Sequence, residues 1–346
     1  MSKKKMLLVG DYVFKTAELT AGFNDLTQYG IELLTFQDES IRTPEQFQEE
    51  MLKLEQQGPE ATTPLQELME AIKGVEILIV HLTAIPSTII KAAEQLKLIG
   101  VLRGGYENVN VVAARENGVT VVNSPGRSAE AVSDFTIGLM IAESKNIVRG
   151  SMALRKGEWP KEFYNFEYTN NLRSSTVGII GFGAIGLRVA NKLRAFDANV
   201  IVYDPFVPKE EVLKAGCKPV GLDTLIRDAD MITIHARLTK DAQNMIGKEE
   251  FEKMKPTAFI INTARAGFID EIALVDALKN KKIGGAAIDV FSVEPIPEDF
   301  PLLELENVTL TPHLAGVSCD TKYDALEILS KEIERYLKQE DLKYAL

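Results

Sequence analysis

Only three histidines occur in 346 residues, His81, His235 and His313. Histidine is the side chain whose ordinary pKa lies nearest neutrality, so the search for a general acid or base is short. A second set of residues is chemical through its spacing. Gly181-Phe182-Gly183-Ala184-Ile185-Gly186 follows the apolar run 176–180 and precedes a helical pattern over 187–196. A glycine hexad alone is weak evidence. A strand before it and a helix after it supply the context of a dinucleotide-binding turn. Gly181 permits the tight turn, Gly183 lets a pyrophosphate approach the backbone, and Gly186 lets helix and strand pack closely. Ala184 and Ile185 lie in the turn that leads into the helix, whose N-terminal N–H groups and partial positive charge suit phosphate. The next apolar run, 200–203, ends in Asp204. An acid here accepts the ribose hydroxyls of NAD and repels the 2′-phosphate of NADP. Pro205, Phe206 and Val207 follow, with no cation among them, so NAD is the expected cofactor.

The elements that must position these residues are legible as alternation. Short aliphatic runs at 6–10, 31–36, 77–81, 98–103 and 120–123 alternate with helical patterns, as do those at 176–180, 200–204, 231–235, 258–262, 286–290 and 308–311. This is the α/β pattern of parallel sheets covered on both faces. The Glu- and Gln-rich segment 37–73 reads as a helical, solvated insertion. An amphipathic helix is expected over 318–338 and an apolar one over 129–146. Asn123-Ser124-Pro125-Gly126 and Thr311-Pro312-His313-Leu314-Ala315-Gly316 each pair Pro with Gly. Read as crossings between domains, they place residues 124–316 in a dinucleotide domain inserted into a discontinuous domain of residues 1–123 and 317–346.

Composition narrows the function. A formal charge of -11 argues against nucleic-acid and anionic-membrane surfaces, which need clustered Lys and Arg. No apolar run approaches bilayer length. The run 6–10 after the basic start is too short for a signal-peptide core, and it meets Asp11 at once. Two cysteines form no disulfide framework and no metal spacing. A cytoplasmic protein without metal is expected.

The chain resembles the D-isomer-specific 2-hydroxyacid dehydrogenases, phosphoglycerate dehydrogenase-like, well over 98–316 and loosely before. The residues that carry the resemblance are Gly181–Gly186, Asn262-Thr263-Ala264-Arg265-Ala266-Gly267, Ala287-Ile288-Asp289-Val290-Phe291, Glu294-Pro295 and Thr311-Pro312-His313. Each motif alone is common; their order and spacing are specific. The resemblance implies two doubly wound parallel-sheet domains, a Rossmann nucleotide domain inserted in a flavodoxin-like substrate domain. It implies a catalytic Arg265, Glu294 and His313. Histidine, with an ordinary pKa of about 6.5, exchanges the hydroxyl proton, and Glu294 orients the ring and favours its protonated form. Arg265 holds the substrate carboxylate by charge-assisted hydrogen bonds. By the same resemblance Asp289 bonds the nicotinamide carboxamide, with a helix-capping or turn aspartate as its other reading; Thr263 and Ala264 border the nicotinamide ribose, and Gly316 gives the cofactor room. His235 shapes the cofactor pocket, and Arg265 and His313 border the cofactor too. Arg103, Gly104 and Gly105 grip the substrate carboxylate from the other domain, and hinge closure brings them towards Arg265 and His313.

Departures from the family pattern bear on substrate. The loop after Gly105 ends in Asn110 where Asp is usual, Ala266 replaces Gly, and His235-Ala236-Arg237 replaces His-x-Pro. Arg237 adds a charge near the cofactor mouth, for substrate, pyrophosphate or plain surface. His81 is expected to be structural, with the substrate cleft as the other placement. Trp159 packs. The expected activity is NAD-dependent interconversion of a small, anionic D-2-hydroxy acid and its 2-oxo acid: 3-phosphoglycerate, glycerate or hydroxypyruvate, lactate, or a sugar-derived acid. The alternative is an NAD-sensing, corepressor-like binding protein. Formate oxidation is disfavoured by Glu294. A homodimer or homotetramer is expected, and no regulatory domain after the last helix.

Overall fold

The computed structural model describes residues 3–346; residues 1 and 2 lie outside the described residues. The chain divides into two compact units. One is Met1–Arg127 with Ser318–Leu346, and the other is Ser128–Val317. The boundaries expected at 123/124 and 316/317 thus fall at 127/128 and 317/318.

The first unit is built on β1 (Lys4–Gly10), β2 (Ile31–Gln37), β3 (Ile77–Val80), β4 (Leu98–Val101) and β5 (Thr120–Asn123). Their order is β2-β1-β3-β4-β5, and every pair is parallel. This is the flavodoxin-like order, whose switch point lies between β1 and β3. The near-continuous apolar strands follow from burial on both faces; every residue of β3 and β4 is buried. The helix Asp320–Lys338 closes one face by packing Ala325, Leu326, Leu329 and Ile333 against Met6, Leu8, Ile79 and Leu98. Gly100 in β4 permits that approach: a Cβ there would lie 2.9 Å from Ile79 Cδ1 and Leu329 Cδ2. The expected solvated insertion contains the helices Pro44–Gln57 and Gln66–Ala71. It is also tied down, since Glu60 accepts from Ser87 N–H at 2.7 Å and from Asn110 Nδ2 at 2.6 Å.

The second unit holds β6 (Thr176–Ile180), β7 (Asn199–Tyr203), β8 (Lys218–Pro219), β9 (Met231–Ile234), β10 (Phe259–Asn262), β11 (Gly285–Ile288) and β12 (Val308–Leu310). Their order is β12-β11-β10-β9-β6-β7-β8, all parallel. Counted from β6, this is the Rossmann arrangement with one strand added beyond the sixth, and its switch point lies between β6 and β9. Two residues of β8 were too few for a sequence pattern. Several strands also stop earlier than their apolar runs: β7 before Asp204, β9 before His235, β11 before Asp289, and β4 before Arg103. Each chemically interesting side chain is thereby placed on a loop just past a strand end.

Candidate active site

The glycine turn connects β6 to the helix Ala184–Ala195, which starts three residues before the expected position 187. Gly181 has φ +92°, and a Cβ there would come within 2.6 Å of Ala236 N and 2.7 Å of His235 C. Both conformation and space therefore require glycine. A Cβ on Gly186 would collide with the carbonyl oxygen of Gly181. Gly183 caps the helix and is exposed, with nothing within 4 Å of its Cβ position. The first-turn N–H groups, including those of Ala184 and Ile185, have no preceding turn of carbonyls behind them. Asp204 locks the turn: one oxygen accepts from Phe182 N–H at 2.7 Å, the other from Phe206 N–H at 2.8 Å and Val207 N–H at 3.1 Å. Carboxylate oxygens carry further lone pairs, so ribose hydroxyls still find an acceptor.

His235 is buried beside Gly181. Its Nε2 meets Thr233 Oγ1 at 2.9 Å, and its Nδ1 is buried without a partner among the described residues. Burial pushes its pKa down to about 3, so the ring is neutral and no proton carrier near pH 7. An orphaned polar atom beside an open glycine turn fits a polar cofactor group, as do Gly183 and Asp204.

At the end of β10, Asn262 shapes the loop that bears Arg265. Its Oδ1 accepts from Ala264 N–H at 3.0 Å and its Nδ2 donates to the Arg265 carbonyl at 2.9 Å. Thr263 is buried, its hydroxyl 3.1 Å from that of Thr136. Arg265 is exposed and donates Nη1–H to the Ala264 carbonyl at 2.7 Å.

His313 follows β12 in the left-handed region, φ +53°, a conformation that non-glycine residues adopt only when their surroundings hold it. Its Nδ1 lies 2.8 Å from Glu294 Oε2. Glu294 is steadied in turn, its Oε1 accepting from Phe291 N–H at 2.9 Å. The ring is 49% exposed, so it is open to a ligand. Asp289, which the resemblance assigns to the nicotinamide, is fully buried and has another use. One oxygen accepts from Thr311 Oγ1 at 2.6 Å and Leu314 N–H at 2.8 Å, the other from Ala315 N–H at 2.9 Å. It therefore pins the loop on both sides of His313. Gly316 has room for a Cβ on the protein side, with Ser128 Cβ at 3.8 Å. Strands β10, β11 and β12 are neighbours, so Arg265, Asp289, Glu294 and His313 all follow C-terminal strand ends at one sheet edge, where α/β proteins bind ligands. Arg237 is exposed.

The first unit holds the other residues singled out in the sequence. His81 is buried with its Nδ1 2.8 Å from Asp11 Oδ2. Burial lowers the His81 pKa, outweighing the Asp11 carboxylate. Asp11 stays below its ordinary value although burial alone raises it, because His81 and the N–H groups of Phe14 and Val13 stabilise the anion. The pair ties the end of β1 to that of β3. Arg103 is buried and Gly104 exposed, while Asn123 Nδ2 donates to the Gly104 carbonyl at 2.6 Å. The positioning role of Asn262 went unread in the sequence, whereas Asp289 takes the turn-aspartate role that was its other reading. For Asn262 a signal existed, since Asn after a strand commonly bonds the backbone two residues on.

Residues 137–315 match the family model described as D-isomer specific 2-hydroxyacid dehydrogenase, NAD binding domain. A curated D-3-phosphoglycerate dehydrogenase from Methanocaldococcus jannaschii is 41% identical over 278 residues, 80% of this chain and 52% of that protein. This chain thus spans about half that relative's length. A hydroxypyruvate reductase from Thermotoga maritima is 38% identical over 74% of this chain and 83% of its own. Among solved structures, a D-isomer specific 2-hydroxyacid dehydrogenase from Lactobacillus delbrueckii ssp. bulgaricus superposes with a TM-score of 0.78 at 21% identity, covering 99% of this chain and 100% of that one. That last likeness is one of fold.

Proposed function

The chain belongs to the D-isomer specific 2-hydroxyacid dehydrogenase family, and from that premise we propose that it interconverts a small D-2-hydroxy acid and the matching 2-oxo acid with NAD. The observation that carries the reading is the Glu294–His313 pair at 2.8 Å, with Arg265 past a neighbouring strand end of the same sheet. Glu294 accepts the Nδ1 proton of His313, which leaves Nε2 to take the hydroxyl proton in oxidation and to return it in reduction. Arg265 binds the substrate carboxylate in a fixed fork. Bound NAD supplies the acceptor of the hydride, and NADH its donor. Gly181, Gly183, Ala184, Ile185, Gly186, Asp204, His235, Thr263, Ala264 and Gly316 form its binding surface, and Arg103, Gly104 and Gly105 serve the substrate. Asp204, without a neighbouring cation, favours NAD over NADP.

No helix among the described residues is long and apolar enough to cross a membrane. Two free cysteines support a reducing, cytoplasmic setting. Exposed Ile147, Met152 and Leu154 on the helix Ile147–Arg155 support a homo-oligomer.

The test is a panel of 2-oxo acids with NADH and with NADPH, following nicotinamide oxidation. Turnover of at least one acid, faster with NADH, is expected. The His313→Gln variant should lose turnover by about 100-fold or more while still binding NADH. Full turnover by that variant removes His313 as the proton carrier. A flat panel with NADH binding intact replaces the enzyme with a binding protein.

A further inference from the structure

Two features of the first unit meet at one contact. Asn110 stands where the family pattern has Asp, and the inserted segment 37–73 brings Glu60 to it. Asn110 uses both ends of its amide. Its Oδ1 accepts from Ala113 N–H at 2.9 Å and caps the helix Val111–Glu116, while its Nδ2 donates to Glu60 Oε1 at 2.6 Å. An aspartate would keep the cap, but an ionised carboxylate has no hydrogen to donate, and it would set a second negative charge against Glu60. The amide at 110 therefore answers to the carboxylate at 60. Glu60 lies in the turn Pro59–Ala61 after the helix Pro44–Gln57. It also accepts from Ser87, the N–H at 2.7 Å and the hydroxyl at 3.2 Å. Asn110 first, then the Ser87 N–H, hold its carboxyl below the ordinary value.

The contact sits at the root of the glycine loop. Downstream of Gly105 the chain turns back at Val109, whose N–H donates to the Tyr106 carbonyl at 2.9 Å. Asn108 is fully buried, and its Nδ2 donates to the Thr83 carbonyl at 3.1 Å. Ile85 N–H donates to the Asn108 carbonyl at 2.7 Å, and Asn110 N–H to the Ile85 carbonyl at 3.1 Å. Residues 83–87, past the end of β3, thus form the bed of this leg. The inserted segment grips that bed twice. Near its start Asp38 accepts from Thr83 Oγ1 at 2.8 Å, and further on Glu60 accepts from Ser87. The other leg is held by β5, through Ser124 N–H on the Arg103 carbonyl at 2.9 Å and Asn123 Nδ2 on the Gly104 carbonyl at 2.6 Å. Between the anchors Gly104, Tyr106 and Glu107 are exposed.

A loop whose roots are fixed loses less conformational freedom when it receives a ligand, and a displacement of about 1 Å can cost about a hundredfold in rate. We propose that Glu60 and Asn110 are positioning residues: they latch the leg 108–110 and so hold the crest at Gly104 and Gly105 ready for the substrate carboxylate. The inserted segment is the strap that carries the latch. This inference rests on the dehydrogenase reading, which gives that loop to the substrate, and deepens it. Both side chains act through the loop, so their effect falls on KM.

Four variants of the full chain test it: Asn110→Asp, Glu60→Ala, Glu60→Gln, and Asn110→Asp combined with Glu60→Ala. Deuterium exchange needs no turnover. The Ile85 and Val109 amides should exchange about tenfold faster in Asn110→Asp and in Glu60→Ala. They should keep the wild-type rate in Glu60→Gln, whose remaining oxygen still accepts. In the double variant Asn110→Asp should add nothing to Glu60→Ala, because the two changes act through one contact. The 2-oxo acid that the wild type reduces fastest should show the same order in KM, raised about tenfold, with kcat and the NADH Kd within about twofold. Loss of folded protein alone would lower the apparent kcat and leave KM in place. Equal effects of Asn110→Asp with and without Glu60 overturn the latch. Faster exchange with an unchanged KM overturns its role in positioning the loop. If no 2-oxo acid is reduced, the dehydrogenase reading fails, and the exchange rates still decide the latch.

Discussion

At Asp289 one carboxylate decides how His313 is presented. Its two oxygens take three donors from the 311–315 loop, and the residue in the middle sits at φ +53°. In Asp289→Asn one oxygen becomes an NH2 group, so at least one buried donor loses its acceptor, a cost of about 1–3 kcal/mol. The strained His313 backbone then relaxes. The variant should keep NADH binding within about threefold and lose kcat about tenfold or more, and the Leu314 and Ala315 amides should exchange faster with deuterium. A raised NADH Kd with unchanged kcat would instead give Asp289 the carboxamide contact that the family resemblance implies. His235 poses a different question, because burial holds its pKa near 3. Below its ordinary pKa of about 6.5 the unfolded chain binds a proton that the folded ring refuses. Its contribution to stability is therefore complete above about pH 6.5 and is lost as pH falls towards about 3, by up to about 1.4 kcal/mol per pH unit. His81, also depressed by burial, adds to the slope in the same direction. Urea unfolding at pH 7 and 4.5 should show His235→Asn losing less stability than the wild type, and equal losses would contradict the assignment.

Strands and helices carried most of what the sequence made legible. Eleven apolar runs announced eleven strands, because parallel strands buried on both faces are continuous in Val, Ile, Leu and Ala. What the pattern does not mark is where pairing stops. Asp289, His235 and Arg103 sit one or two residues beyond the last paired residue, and hydrophobicity alone carries each run past that point. Two-residue β8 falls below any period, and the start of the helix on Ala184 goes unmarked because glycine and alanine carry little apolar signal. Arg265, Glu294 and His313 were legible only as a joint motif. The loop anchor Asn262 was hidden because its partners are backbone groups, the Ala264 N–H and the Arg265 carbonyl, which no residue type announces. Another anchor of this kind fastens the end of the chain. Glu332, fully buried on the helix Asp320–Lys338, accepts from Lys343 N–H at 2.8 Å and Tyr344 N–H at 2.9 Å, and pairs with Arg335. Glu332→Ala should destabilise the first unit by about 1–3 kcal/mol, because the Lys343 and Tyr344 amides lose their acceptor. The urea transition of that unit is the measurement, and a shift below about 0.5 kcal/mol, as at ordinary surface sites, would show that the tail needs no anchor.

Across the whole molecule the two units differ in how the chain completes them. The second is continuous from Ser128 to Val317. It closes its own sheet and has cores on both faces, one around Ile232, Ile260 and Phe268, the other around Ile179, Val189 and Leu193. Such a unit meets the physical conditions for folding alone. The first is made of two pieces far apart in sequence, and its second piece supplies Ala325, Leu326, Leu329 and Ile333 to one core. Without those side chains one face of the sheet, Met6, Leu8, Ile79 and Leu98 among it, meets water. Restoring each large aliphatic contact is worth about 1.5–3 kcal/mol, comparable in sum with the whole stability of a small domain. Expressed alone, residues 128–317 should therefore melt cooperatively and bind NADH, while residues 3–127 should not melt cooperatively. Joining residues 318–346 to that second fragment through a flexible linker should restore a cooperative transition. A cooperative fold in residues 3–127 alone would mean that the last helix covers the sheet without being needed to form it, and that the two pieces of the first unit are not one folding unit.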